Sequence, residues 1–141
     1  IWDLVLSANK LIFGVAVDDS HHFKGDFNPG LANPGRGWVM VDAPALEKDL
    51  VINALESGSF YSSTGVTLDQ LIMDPKSIRL SIKQEWHMIY VTEFVIRGGQ
   101  IISKQTGIDP SYNIQGNEGY VRAKVKSSDG SVAWTQPIFT A

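Results

Sequence analysis

The chain has 141 residues, 43% hydrophobic and 19% charged, a balance that fits one ordinary folded domain or two small ones. A net charge of −3 gives no basic surface for general nucleic-acid binding, and the absence of cysteine excludes disulfides and thiolate metal sites. No apolar run approaches the ~20 residues that would cross a bilayer. The first residue is Ile1 and no signal-peptide pattern precedes it, so the chain reads as a processed product or a piece of something longer.

Residues 1–65 read as α/β. Trp2, Val5 and Leu6 recur at helical spacing, and Asn9 suits a left-handed helix stop. The continuous apolar run at residues 11–17 predicts a strand covered on both faces. A loop rich in Gly, Pro and Asn follows over residues 23–37, and residues 38–41 predict a second buried strand. Pro44 lies near the start of the next helix, whose apolar face holds Leu46, Leu50, Val51, Ala54 and Leu55, with Gly58 as its stop. This order lets the two strands be neighbours in a parallel sheet.

From residue 66 the pattern changes to short alternating strands. Residues 78–83 alternate, and residues 90–97 and 100–104 flank Gly98-Gly99, a hairpin signal. Residues 120–126 and 131–135 flank a turn at Asp129-Gly130. Val121, Ala123 and Val125 should face a core, while Arg122, Lys124 and Lys126 face water. Six or seven strands suit an antiparallel immunoglobulin-like β-sandwich. The chain as a whole is thus α+β, a partial α/β unit over 1–65 followed by a sandwich module over 66–141.

The chemistry concentrates in Asp18-Asp19-Ser20-His21-His22, at the end of the first predicted strand, where α/β proteins tend to place their sites. In extended backbone, side chains at i and i+2 share a side, so Asp19 and His21 converge while Asp18 and Ser20 point elsewhere. A carboxylate and an imidazole so placed suit Zn²⁺, Mn²⁺ or Fe²⁺; the same triplet also serves as a solvated loop at a strand end. His22 is a candidate support for the ligands or a plain exposed residue, and His87 reads as an ordinary strand residue. Ser20 and Ser62-Ser63-Thr64 lack the glycine elbow of a serine nucleophile. Pro34-Gly35-Arg36-Gly37 is either an anion-binding turn, with Arg36 as the fork, or a tight turn before a strand.

Three segments occur in order: residues 14–22, residues 34–41, and residues 54–65 with Gly58, Tyr61 and Gly65. Together they resemble the C-terminal portion of the polymerase-and-histidinol-phosphatase (PHP) family of metal-dependent phosphoesterases, in its branch with a β domain after the catalytic domain. Residues 117–123 and 133–139 resemble the end of that β domain. The resemblance implies that residues 1–65 form the end of a distorted β/α barrel. It places the last metal motif on Asp19 and His21, with Arg36 as a phosphate contact and His22 beside the ligands. Family enzymes use divalent metals to generate a hydroxide and polarise a phosphoryl oxygen. The family's earlier His-x-His pair has no counterpart among the three histidines present. The expectation is a fragment of a phosphoester hydrolase that is inactive alone. Its partners would be the missing N-terminal part of the catalytic domain or a second copy of the chain, and a small phosphoester. The competing expectation is a non-catalytic binding or structural module, with Trp86, Tyr90, Tyr112, Tyr120 and Trp134 as a ligand surface or as core.

Overall fold

The computed structural model describes residues 1–25, 27, 28 and 30–140. Two short helices and ten strands follow in chain order: α1 (Trp2–Ser7), β1 (Trp38–Val41), α2 (Lys48–Ser57), β2 (Phe60–Ser63), β3 (Leu68–Asp74), β4 (Ser77–Ile82), β5 (Tyr90–Ile96), β6 (Gln100–Thr106), β7 (Ser111–Asn113), β8 (Tyr120–Ser127), β9 (Val132–Thr135) and β10 (Ile138–Phe139). Seven strands form one sheet in the order β1-β2-β9-β8-β5-β6, with β10 also on β8. The second sheet is β3-β4-β7. Every pairing is antiparallel. The chain is therefore α+β and rich in antiparallel structure. Its core of Val66, Ile78, Leu80, Ile82, Tyr90, Phe94, Val121, Ala123 and Val125 draws on both sheets, an arrangement compatible with a β-sandwich.

Local signals succeed where the chemistry is local. Asn9 adopts φ +56°, its N–H donates to Leu6 O and the Lys10 N–H to Val5 O. Gly58 at φ +77° ends α2 in the same way, with the Ser59 N–H donating to Ala54 O and its own N–H to Leu55 O. Both ends are Schellman motifs, which need a residue tolerant of left-handed backbone. Gly98 and Gly99, at φ +77° and +73°, close the loop between β5 and β6. Asp129 Oδ1 accepts the Ser131 N–H in the turn between β8 and β9.

Four expectations are corrected. Residues 11–17 join no strand among the described residues, and Leu11, Ile12, Val15 and Val17 are exposed. An apolar run reports affinity for a neighbour, not the presence of one. The strand at 38–41 pairs antiparallel with β2, at residues that carry no strand expectation, and among the described residues it has no parallel partner at 11–17. Helix α2 begins at Lys48, after Pro44, and buries only Ala54; Leu46 is fully exposed. Arg122, expected in water, is buried because α1 lies over that part of the sheet.

The two portions of the chain share backbone hydrogen bonds. Strand β2 pairs with β9 in the register Tyr61↔Thr135, Ser62↔Trp134, Ser63↔Ala133. Asp3 on α1 forms a bidentate pair with Arg122 on β8 at 3.0 and 2.8 Å, and Tyr120 Oη donates to Asp3 Oδ1 at 2.6 Å. Among the described residues no helix is long and apolar enough to cross a membrane.

Candidate functional site

The segment carrying Asp18 to His22 is fixed by groups on either side of it. Upstream, both backbone groups of Gly14 are occupied. Gln136 Oε1 accepts its N–H at 2.9 Å, and its carbonyl accepts from Gln136 Nε2 at 2.9 Å and from Ser62 Oγ at 2.8 Å. The Trp2 ring lies against the same residue, so close that a Cβ on Gly14 would sit 2.7 Å from it. Trp2 Nε1 donates to Ile12 O at 2.9 Å. Downstream, the Asp18 carboxylate accepts from the Gly35 N–H at 2.7 Å and Ser20 Oγ at 3.0 Å, while Arg36 Nη2 donates to Asp18 O at 3.1 Å. These bonds hold the Asp18 carboxyl below its ordinary range, the Gly35 N–H contributing most. The glycine turn at 34–37 thus holds an anion, and that anion is the chain's own Asp18.

Asp19 and His21 converge, with Oδ1 and Nε2 3.9 Å apart and both side chains largely exposed, 91% and 64%. Asp19 is left-handed at φ +50°, so the pair converges through a turn in the backbone and not through the extended i, i+2 geometry expected. Neighbouring donors around a tetrahedral cation with bonds of about 2 Å lie about 3.3 Å apart, so the pair must close by roughly 0.6 Å to share one. They supply two ligands. Among the described residues no group of three His, Cys, Asp or Glu side chains surrounds a common point. The donor pair fits a divalent metal, and completion of the shell requires groups from elsewhere.

The remaining candidates take varied places. His22 is exposed, and its backbone does the work: the N–H groups of His21 and His22 both donate to Ala32 O, at 2.9 and 3.0 Å, and His22 O accepts from Asn33 Nδ2 at 3.0 Å. Asn33, buried, also accepts the Asn28 N–H at 3.1 Å and so closes the loop between them. Arg36 lies beside the metal-type pair through its bond to Asp18, with the side chain exposed. Ser62, Ser63 and Thr64 spend their hydroxyls on backbone carbonyls, which leaves no nucleophile among them. The five aromatics form no common surface: Tyr90 and Tyr120 are buried, Tyr112 stacks on Phe94, and Trp86 is 83% exposed on a separate loop beside His87.

Sequence reasoning missed Gln136 and Asn33, since a lone amide carries no motif. Near Gln136, an open groove of about 630 Å³ is lined by Phe13, Met40, Tyr61, Leu68 and Asp69. Compared with protein-family models, curated proteins and solved structures, the chain matches none of them.

Proposed function

We propose that this chain is the C-terminal portion of a metal-dependent phosphoester hydrolase of the PHP type. Residues 1–65 would be the end of a distorted β/α barrel, and residues 66–141 a β-sandwich module of immunoglobulin-like type. The observation that carries the reading is the Asp19–His21 pair: two donors 3.9 Å apart and open to solvent, shortly after an apolar segment. The exposed side chains of Leu11, Val15 and Val17 beside it support a neighbour that covers this segment. In this reading Asp19 and His21 hold a Zn²⁺, Mn²⁺ or Fe²⁺ ion together with ligands from the rest of the catalytic domain, or from a second copy of the chain. When bound, the metal supplies a hydroxide and polarises a phosphoryl oxygen. Arg36 offers its exposed guanidinium to a phosphate oxygen, and Asp18 keeps the turn beneath it closed.

The test is hydrolysis of p-nitrophenyl phosphate by the longer polypeptide in which this reading places the chain, with Mn²⁺ or Zn²⁺ supplied. Asp19→Ala and His21→Ala should each lower kcat/KM by at least about 100-fold, because even groups behind the ligands typically cost 10–100-fold. The 141-residue chain alone should show no turnover. Unchanged rates in both variants would sink the reading. The second reading is a non-catalytic binding or structural module. It expects no hydrolysis in any form of the protein.

A further inference from the structure

We propose that Gln136 is a positioning residue for the Asp19–His21 pair, its carboxamide standing in for a neighbouring strand at Gly14. The proposal rests on the hydrolase reading only where it speaks of metal; the positioning itself is a claim about the chain.

Residues 11–17 join no ladder among the described residues, and a segment of that kind would normally drift. A carboxamide carries one acceptor oxygen and two N–H donors, so it can offer the one donor and one acceptor of a peptide group with a donor to spare. Gln136 presents both to one residue, accepting the Gly14 N–H and donating to the Gly14 carbonyl, each at 2.9 Å. The two residues are 122 positions apart, so the clamp joins opposite ends of the chain. Gln136 is 2% exposed, which leaves little water to replace these bonds. A buried amide that lets go is left unsatisfied. Its backbone follows directly on β9, and Ala123 N–H donates to Thr135 Oγ1 at 2.9 Å, so the clamp is anchored in the middle of the seven-stranded sheet.

From the other side the Trp2 ring stops Gly14 from shifting, and Trp2 is itself held under the Arg122 guanidinium at 4.7 Å. Four residues on, Asp18 is tied to Gly35 and Arg36, and the Val17 backbone runs against Gly37, where a Cβ would come within 3.0 Å of Val17 O. Between these anchors exposure alternates. Gly14, Ala16, Asp18 and Ser20 are half-buried, and Val15, Val17, Asp19 and His21 are exposed. A slip by one residue at Gly14 would interchange the two sets. Gln136 therefore sets which side chains emerge at the strand end.

The experiment uses the full chain with Gln136→Leu, which removes both hydrogen-bonding groups, and Gln136→Glu, which keeps the acceptor and loses the donor. Ser62→Ala, which removes one bond to the Gly14 carbonyl, is a milder companion. Amide hydrogen exchange is followed at Gly14, His21 and His22, with β5 and β8 as the control for folding. Zn²⁺ is titrated by calorimetry, with Asp19→Ala/His21→Ala as reference.

Gln136→Leu should leave β5 and β8 protected while exchange at Gly14, His21 and His22 speeds at least tenfold. Zn²⁺ affinity should fall by about tenfold toward that of the double variant, and Gln136→Glu should lie between. If Gln136→Leu unfolds the sheet, Gln136→Glu and Ser62→Ala carry the same comparison. Faster exchange at Gly14 alone, with His21, His22 and Zn²⁺ affinity as in the parent chain, would overturn the proposal and make the clamp purely local. A parent chain that binds Zn²⁺ no better than the double variant is what a two-ligand half-site gives on its own, and the hydrolase reading is judged by the turnover assay on the longer polypeptide instead. Positioning then stands or falls on the His21 and His22 amides.

Discussion

At Asp3 a carboxylate from the first helix meets an arginine and a phenol from the middle of the sheet. Burial alone would raise its pKa, but hydrogen bonds from Arg122 and Tyr120 and the guanidinium charge outweigh it, and the net shift is downward. Tyr120 moves the other way, to about 12, through burial first and its bond to Asp3 second. The two shifts give opposite pH limbs. Asp3 contributes stability at pH values above its ordinary 3.8, lost as pH falls through its depressed folded value. Tyr120 contributes below its ordinary 10.0, and that share is lost as pH rises from there toward about 12. Asp3→Ala strands the buried Arg122 charge and should cost about 3 kcal/mol in urea unfolding at neutral pH. Tyr120→Phe should cost about 1 kcal/mol. An Asp3→Ala chain with the parent's stability and acid limb would show that α1 is not held by this pair.

The helix ends and hairpin turns were legible at the scale of single elements because their causes lie within a few residues of one another. Asn9, Gly58, Gly98-Gly99 and Asp129-Gly130 punctuate the chain where they stand in the sequence. The segment 11–17 and the strand partners were not legible. Whether an apolar run acquires a ladder depends on residues far away, here Gln136 and Ser62, and the burial of Arg122 depends on Asp3. The proximity of Asp19 and His21 agrees with their spacing, but its cause, a left-handed Asp19, could not be read there, nor could the occupation of the glycine turn by Asp18. Gly58 provides a test of local reasoning. A Cβ there would be both left-handed and 2.4 Å from the Phe13 ring, whereas at Gly130, φ +92°, nothing lies within 4 Å. Gly130→Ala should cost about 1 kcal/mol from backbone strain, and Gly58→Ala at least about 1 kcal/mol more. Equal losses in thermal unfolding would mean that Phe13 moves aside freely.

Across the whole molecule, apolar surface is unevenly shared. One core is sealed between the sheets, while Leu11, Val15, Val17 and Phe23 stand between 58% and 74% exposed near the metal-type pair. The packing between the two portions, through β2–β9 and Asp3–Arg122, leaves this face uncovered. Large apolar side chains left in water along a segment that joins no ladder favour association. Sedimentation velocity on the isolated chain should show reversible dimers or larger species at tens of micromolar, suppressed by Val15→Lys/Val17→Lys. A chain that stays monomeric throughout that range would mean that copies of it do not use this face.

The sheet order has a further consequence for how the chain comes to be made. Strand β2 must wait for β9, and Gly14 must wait for Gln136, so residues 11–63 have no settled place until about residue 136 has left the ribosome. During synthesis the most apolar part of the early chain is also the part longest without its partners. Chaperone dependence should therefore track the rate at which the final two strands emerge.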